Sequence, residues 1–98
     1  MEITRAYVKS ILPHRDPEGH KGTFGKVYCL CGAVGYTGAP VLAASAAVRS
    51  GSGLVFLGVP KDIWPIVAVK CDSAMPSPLP SQQGKLALAA EDAVRAQI

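Results

Sequence analysis

Ninety-eight residues, 49% hydrophobic and 17% charged with ten glycines and eight prolines, is the composition of a soluble globular chain of at most one domain; disorder and a fibrous repeat are excluded. A chain of this length buries only about 60–65% of the surface that its unfolded form exposes, so its core is modest and a large enzyme is not complete within it. Ten Lys+Arg against seven Asp+Glu give a formal +3, and the basic residues are dispersed from Arg5 to Arg95 without a run, so no nucleic-acid partner is expected. No membrane partner is expected either: the longest uncharged stretch, residues 27–48, is broken by Gly32, Gly35 and Gly38, and a strand, turn and helix suit it better than a span. The N-terminus lacks a signal-peptide apolar core and mixes acids with bases, which predicts a cytoplasmic start.

In chain order, residues 3–12 place Ala6, Tyr7, Ile11 and Leu12 at helical spacing after a Thr4 cap and before Pro13, a short helix. Residues 14–23 (HRDPEGHKGT) are a polar loop available for binding; its His14 and His20 have no paired ligand or nucleophile and read as solvated. Residues 26–31 are a buried strand between Gly25 and Gly32. Cys29 and Cys31 share one face of it, which suits buried thiols better than a disulfide. With Cys71 the only other cysteine, no second ligand pair with metal spacing exists and no metal is expected.

A helix over residues 41–50 follows, with Thr37 as cap, Pro40 near its first turn and Gly51 as its stop; its alanines let it lie close to a sheet or partner helix. Residues 54–59 form a second strand, so residues 26–59 have the order and length of a right-handed βαβ unit. Asp62 is expected to cap a helix over residues 63–70, with Pro65 in its first turn. Residues 74–80 carry three alternate prolines and predict an extended segment at a sheet edge or surface. Residues 81–85 are a turn, and residues 86–98 a helix with Leu86, Ala90, Val94 and Ile98 on one stripe. The expected architecture is α/β, with two or three strands and helices available for both faces. Because a βαβ pattern ordinarily continues, residues 1–98 read as the first portion of a larger doubly wound domain, or as a truncated product.

The chemistry concentrates at Gly32-x-x-Gly35-x-x-Gly38, which leaves a strand and opens a helix, where backbone N–H groups and the helix dipole make a pocket for an anion or ligand. A dinucleotide fingerprint needs Gly-x-Gly-x-x-Gly and an acid near the end of the second strand, where Gly58-Val59-Pro60 stand instead, and no Gly-Lys-Ser/Thr follows for a triphosphate loop. Spacing alone leaves two readings open, a ligand-binding turn and a purely structural one. Lys21 can neutralise a phosphate, or residues 20–26 can be a solvated loop whose glycines let the chain enter the sheet. Asp16 and Glu18 lie in a loop, Asp62 at a cap, Glu91 and Asp92 in the last helix; none reads as a general base.

Taken together, His20-Lys-Gly-Thr-Phe-Gly-Lys-Val27, Gly35-Tyr-Thr-Gly-Ala-Pro-Val-Leu-Ala43, Arg49-Ser-Gly-Ser-Gly-Leu-Val55, Val59-Pro60 and Ala74-Met-Pro-Ser-Pro-Leu-Pro80 resemble the ADP/ATP-dependent NAD(P)H-hydrate dehydratases of the ribokinase-like superfamily. The resemblance runs from about residue 15 to residue 83. It implies a partial, truncated ribokinase-like three-layer sandwich with a mainly parallel sheet, in which residues 1–98 are the N-terminal portion of one domain. It implies a hydro-lyase of metabolite repair that restores NADH or NADPH from its (S)-hydrate, by phosphorylation of the hydroxyl and loss of phosphate, with ADP or ATP and Mg2+. Tyr36, Thr37, Gly38 and Ala39 would line the hydrated-nicotinamide pocket, with Lys21, Gly22 and Gly25 near it. The family's catalytic aspartate would lie beyond Ile98, so no catalytic residue is expected here; a homo-oligomer is expected of the full-length form. The alternatives are a non-catalytic nucleotide- or phosphate-binding α/β module and a self-associating remnant.

Overall fold

The computed structural model of the protein describes residues 2–12, 14, 17–20 and 24–98. Helix α1 (Arg5–Ile11) starts where extended Thr4 accepts the Tyr7 N–H on its hydroxyl at 3.1 Å, as the sequence predicts. It buries none of its residues, so capping rather than tertiary packing holds it among the described residues. Strand β1 (Lys26–Leu30), helix α2 (Gly38–Arg49), strand β2 (Leu54–Pro60), helix α3 (Trp64–Lys70) and strand β3 (Met75–Leu79) follow. After them come a hairpin of β4 (Ser81–Gln82) and β5 (Lys85–Leu86), a 3-10 turn (Leu88–Ala90) and helix α4 (Glu91–Gln97).

The sheet is parallel in the order β1-β2-β3, with Lys26 opposite Leu54 and Phe56 opposite Met75. Right-handed crossovers that advance in one direction across a sheet put their helices on one face. Accordingly Ala44 of α2 and Val67 of α3, with Ile63, join Val55, Leu57 and Val59 of β2 in a single core cluster. Leu57 and Val67 are wholly buried, each contributing roughly 1.5–3 kcal/mol by leaving water. Cys29 and Cys31 pack against this cluster as free thiols, as their shared face predicts. Helices α2 and α3 thus lie on one face of the sheet, while on the other Gly58, Pro60 and Leu79 are buried as well. By the pleat, the opposite face carries Tyr28, Leu30, Phe56 and Met75, with Leu30 46% and Met75 39% exposed.

Alternate prolines suit β3 for a physical reason. N–H groups alternate sides along a strand, so prolines at 76 and 78 can put their missing donors on the side away from β2. The Pro76 carbonyl accepts the Trp64 indole N–H at 3.0 Å, tying α3 to β3, while the Leu79 carbonyl accepts the Lys61 N–H at 3.0 Å.

Three local expectations are corrected. Asp62 does not cap α3: Ile63 holds the cap position without a side-chain bond, and Asp62 accepts the Ser81 hydroxyl at 2.5 Å instead. Thr37 stands at the cap of α2 in a helical conformation, and its side chain makes no capping bond. The final helix begins at Glu91, not at residue 86, because Leu86 pairs with Ser81 in the hairpin and the Ala87 N–H donates to the Pro80 carbonyl at 3.0 Å. Among the described residues no helix is long and apolar enough to cross a membrane.

Candidate functional site

In a parallel sheet all loops that follow the strands emerge at the same edge, where ligands of open α/β folds bind. Here that edge gathers the glycine turn after β1, residues 61–63 after β2 and the hairpin after β3. Gly32 has φ +100°, and a Cβ there would lie 2.7 Å from Ile63 Cδ1 and 2.8 Å from Pro40 Cγ, so glycine is required both by conformation and by the close approach of α2 and α3. Residues 33–36 then turn back on themselves. The Tyr36 N–H donates to the Ala33 carbonyl at 2.8 Å, and Gly35 at φ +87° occupies the position where a type II turn needs a left-handed residue.

Gly38 differs from these two. Its φ is not positive and a Cβ there would meet nothing within 4 Å, so neither the turn nor the packing requires a glycine. It opens α2 between half-buried Thr37 and exposed Ala39, beside Tyr36, which is 72% exposed. The first turn of α2 holds no acidic residue, Pro40 has no N–H, and no described residue accepts from the N–H groups of Thr37, Gly38 and Ala39. These three donors stand at the positive end of a 12-residue helix, and a Cβ at Gly38 would find open space. The arrangement can bind an anionic or carbonyl group and let a flat ring approach backbone.

Beneath the turn, burial pushes the Cys31 thiol above its ordinary range and the neighbouring Cys29 adds to the shift; burial, helped by Asp72, does the same to Cys71. Such thiols stay protonated at neutral pH and are poor nucleophiles. Among the described residues no group of three or more His, Cys, Asp or Glu could hold a metal ion. A groove of about 490 Å³ lined by Leu42, Arg49, Lys70 and Asp72 lies away from the turn, between α2 and the C-terminal end of α3.

Tyr36, Thr37, Gly38 and Ala39 are thus brought together at the strand-end edge. Gly25, φ +87°, precedes β1 and is separated from the turn by that five-residue strand, about 16 Å. Lys21 and Gly22 lie outside the described residues. One partner of the turn escapes the sequence reading: the Val34 N–H donates to the Gly84 carbonyl at 2.8 Å. The Gln83-Gly84 pair between two short β-prone runs is the signal that could have revealed this hairpin.

The sequence profile of NAD(P)H-hydrate dehydratase matches residues 27–98. The bifunctional NAD(P)H-hydrate repair enzyme of Moorella thermoacetica is 44% identical over 78 residues, which are 80% of this chain and 15% of that one. The ADP-dependent (S)-NAD(P)H-hydrate dehydratase of Bacillus subtilis is 39% identical over 64 residues, 65% of this chain and 23% of that one. The chain therefore spans less than a quarter of the length of these relatives. The crystal structure of the Bacillus subtilis ADP/ATP-dependent NAD(P)H-hydrate dehydratase, co-crystallised with ATP/Mg2+, superposes with TM-score 0.66 at 33% identity, covering 83% of this chain and 28% of that one. A ribokinase-like superfamily protein of Enterococcus faecalis shares the fold, with TM-score 0.70 at 18% identity over 96% of this chain and 39% of its own. With a ribokinase-like α/β fold and a family profile running from β1 to its last residue, the chain belongs to the NAD(P)H-hydrate dehydratase family.

Proposed function

We propose that the polypeptide carrying these residues repairs nicotinamide nucleotides, removing water from (S)-hydrated NADH or NADPH at the expense of ADP or ATP, and that Tyr36, Thr37, Gly38 and Ala39 form part of the wall that receives the hydrated nicotinamide. The observation that carries this reading is the open helix start: three unpaired N–H donors beside a glycine that the fold does not need. The amide and hydroxyl of a hydrated nicotinamide are acceptors for such donors, and Gly38 and Ala39 leave room for its ring.

Within this reading the described residues bind and orient. The expected catalytic aspartate is assigned to residues outside 1–98 of the native polypeptide. ADP or ATP with Mg2+ enters this reading through the relatives, of which the Bacillus subtilis enzyme was co-crystallised with ATP/Mg2+. Gly25 belongs to the approach to β1 rather than to this wall. A cytoplasmic setting is supported by three unpaired cysteines. A homo-oligomer is supported by exposed Leu42, Ile66 and Val69 on the helical layer.

The test is steady-state repair of (S)-hydrated NADH by the natural polypeptide and by Ala39→Leu. A side chain forced into the pocket costs about 1–3 kcal/mol, a rise in KM of roughly 5- to 150-fold with ATP saturation unchanged. An unaltered KM removes the turn from the substrate site.

A further inference from the structure

The glycine turn does not stand alone. Its residue Val34 is 58% exposed, yet its N–H is held by the Gly84 carbonyl at 2.8 Å, across from a hairpin whose strands have only two residues each. So short a hairpin has little stability of its own. It is held by its surroundings: the Ser81 hydroxyl donates to Asp62 in the loop after β2. Its two central residues, Gln83 at φ 53° and Gly84 at φ 73°, have the positive φ values of a type I′ turn. A Cβ at Gly84 would lie 2.8 Å from Val34 Cγ2 and 2.9 Å from Val34 Cβ, so the hairpin and the turn are in contact with no room to spare. The hairpin therefore braces the loop after β2 against the turn after β1, two residues before Tyr36.

We propose that Gly84 is a positioning residue for the substrate wall: through Val34 it sets the place of Tyr36–Ala39, and a side chain at residue 84 displaces them. The proposal rests on the assignment of that wall to the hydrated nicotinamide. Gly84→Asn is the variant of choice, because asparagine tolerates a positive φ and the hairpin can still form, while its Cβ still meets Val34. Val34→Gly removes the clashing atoms and keeps the N–H.

Two measurements on the natural polypeptide decide it. In amide hydrogen exchange, Val34 is protected in the wild type and loses at least tenfold of that protection in Gly84→Asn. In steady state, Gly84→Asn raises the KM for (S)-hydrated NADH about tenfold, with kcat and the KM for ATP within twofold, and in the Val34→Gly background the same substitution changes the KM by less than threefold. Gln83→Gly, which relieves a positive φ without touching Val34, leaves the KM unchanged. Lost Val34 protection with an unchanged KM overturns the positioning role, as does an equal fall in kcat and stability without a KM effect. Unchanged protection overturns the brace itself. A wild type that leaves hydrated NADH untouched refutes the functional reading and the substrate part of this proposal, and hydrogen exchange then still decides the brace.

Discussion

Gly32→Ala loads two costs on one atom. The residue has φ +100°, where an L side chain is strained by about 1–2 kcal/mol. Its new Cβ would also stand 2.7 Å from Ile63 Cδ1 and 2.8 Å from Pro40 Cγ. Ile63 and Pro40 are both buried, and neither neighbour is a side chain free to swing into solvent, so overpacking adds about 1–3 kcal/mol. The expected loss is about 2–5 kcal/mol, read as a shift in the denaturant midpoint at unchanged m-value, against a whole-domain stability of about 5–15 kcal/mol. Ile63→Val removes the nearer atom at a cost of its own of about 0.5–1.5 kcal/mol. The double variant should therefore lose less than the sum of the two singles by about 1 kcal/mol. A Gly32→Ala loss below 1 kcal/mol, or strict additivity with Ile63→Val, would refute the reasoning that close approach and conformation together select glycine at this position.

Gly58→Ala is the milder companion: its φ is ordinary, and the atoms its Cβ meets, Leu79 Cδ1, Leu30 Cδ2 and the Tyr28 hydroxyl, are all ends of side chains, of which only Leu79 is buried, so the loss should be about 1–2 kcal/mol and smaller than that of Gly32→Ala in the same denaturation assay. The thiols of Cys31 and Cys71 should react with iodoacetamide more slowly than a free thiol at neutral pH and speed up as pH rises; rapid full labelling at neutral pH contradicts their burial. Because the fold raises these thiol pKa values, their contribution to stability is complete below the ordinary thiol range and is lost as pH climbs through the raised values, so denaturant midpoints should fall on the alkaline side. A polypeptide restricted to residues 1–98 should show no ATP-dependent repair of hydrated NADH, measured by return of NADH absorbance, for want of the expected catalytic aspartate; measurable turnover contradicts that assignment.

Much of the fold is local and was readable as such. Apolar runs punctuated by glycines give β1, α2 and β2, Thr4 caps α1 as expected, and alternate prolines mark β3. What was not readable depends on partners far along the chain. Asp62 has the preferences of a helix cap, but the Ser81 hydroxyl after β3 takes it. Leu86 and Ala90 fit a helical stripe, but pairing of Leu86 with Ser81 keeps residues 85–86 in a hairpin and delays α4 to Glu91. Strand order, and so the face each helix covers, is encoded in no single segment. The site divides in the same way: three glycines announce the turn, whereas its contact with Gly84 exists only once β3 has delivered the hairpin to the same edge.

The central claim is that the start of α2 receives the hydrated nicotinamide. It is tested most directly by titrating (S)-hydrated NADH into the natural polypeptide, isotopically labelled, while following the backbone amide resonances of Thr37, Gly38 and Ala39. Saturable shifts at these three amides, reduced at least tenfold in affinity by Ala39→Leu, are the predicted result. Tight binding that leaves the three resonances unmoved would place the substrate elsewhere and contradict the account.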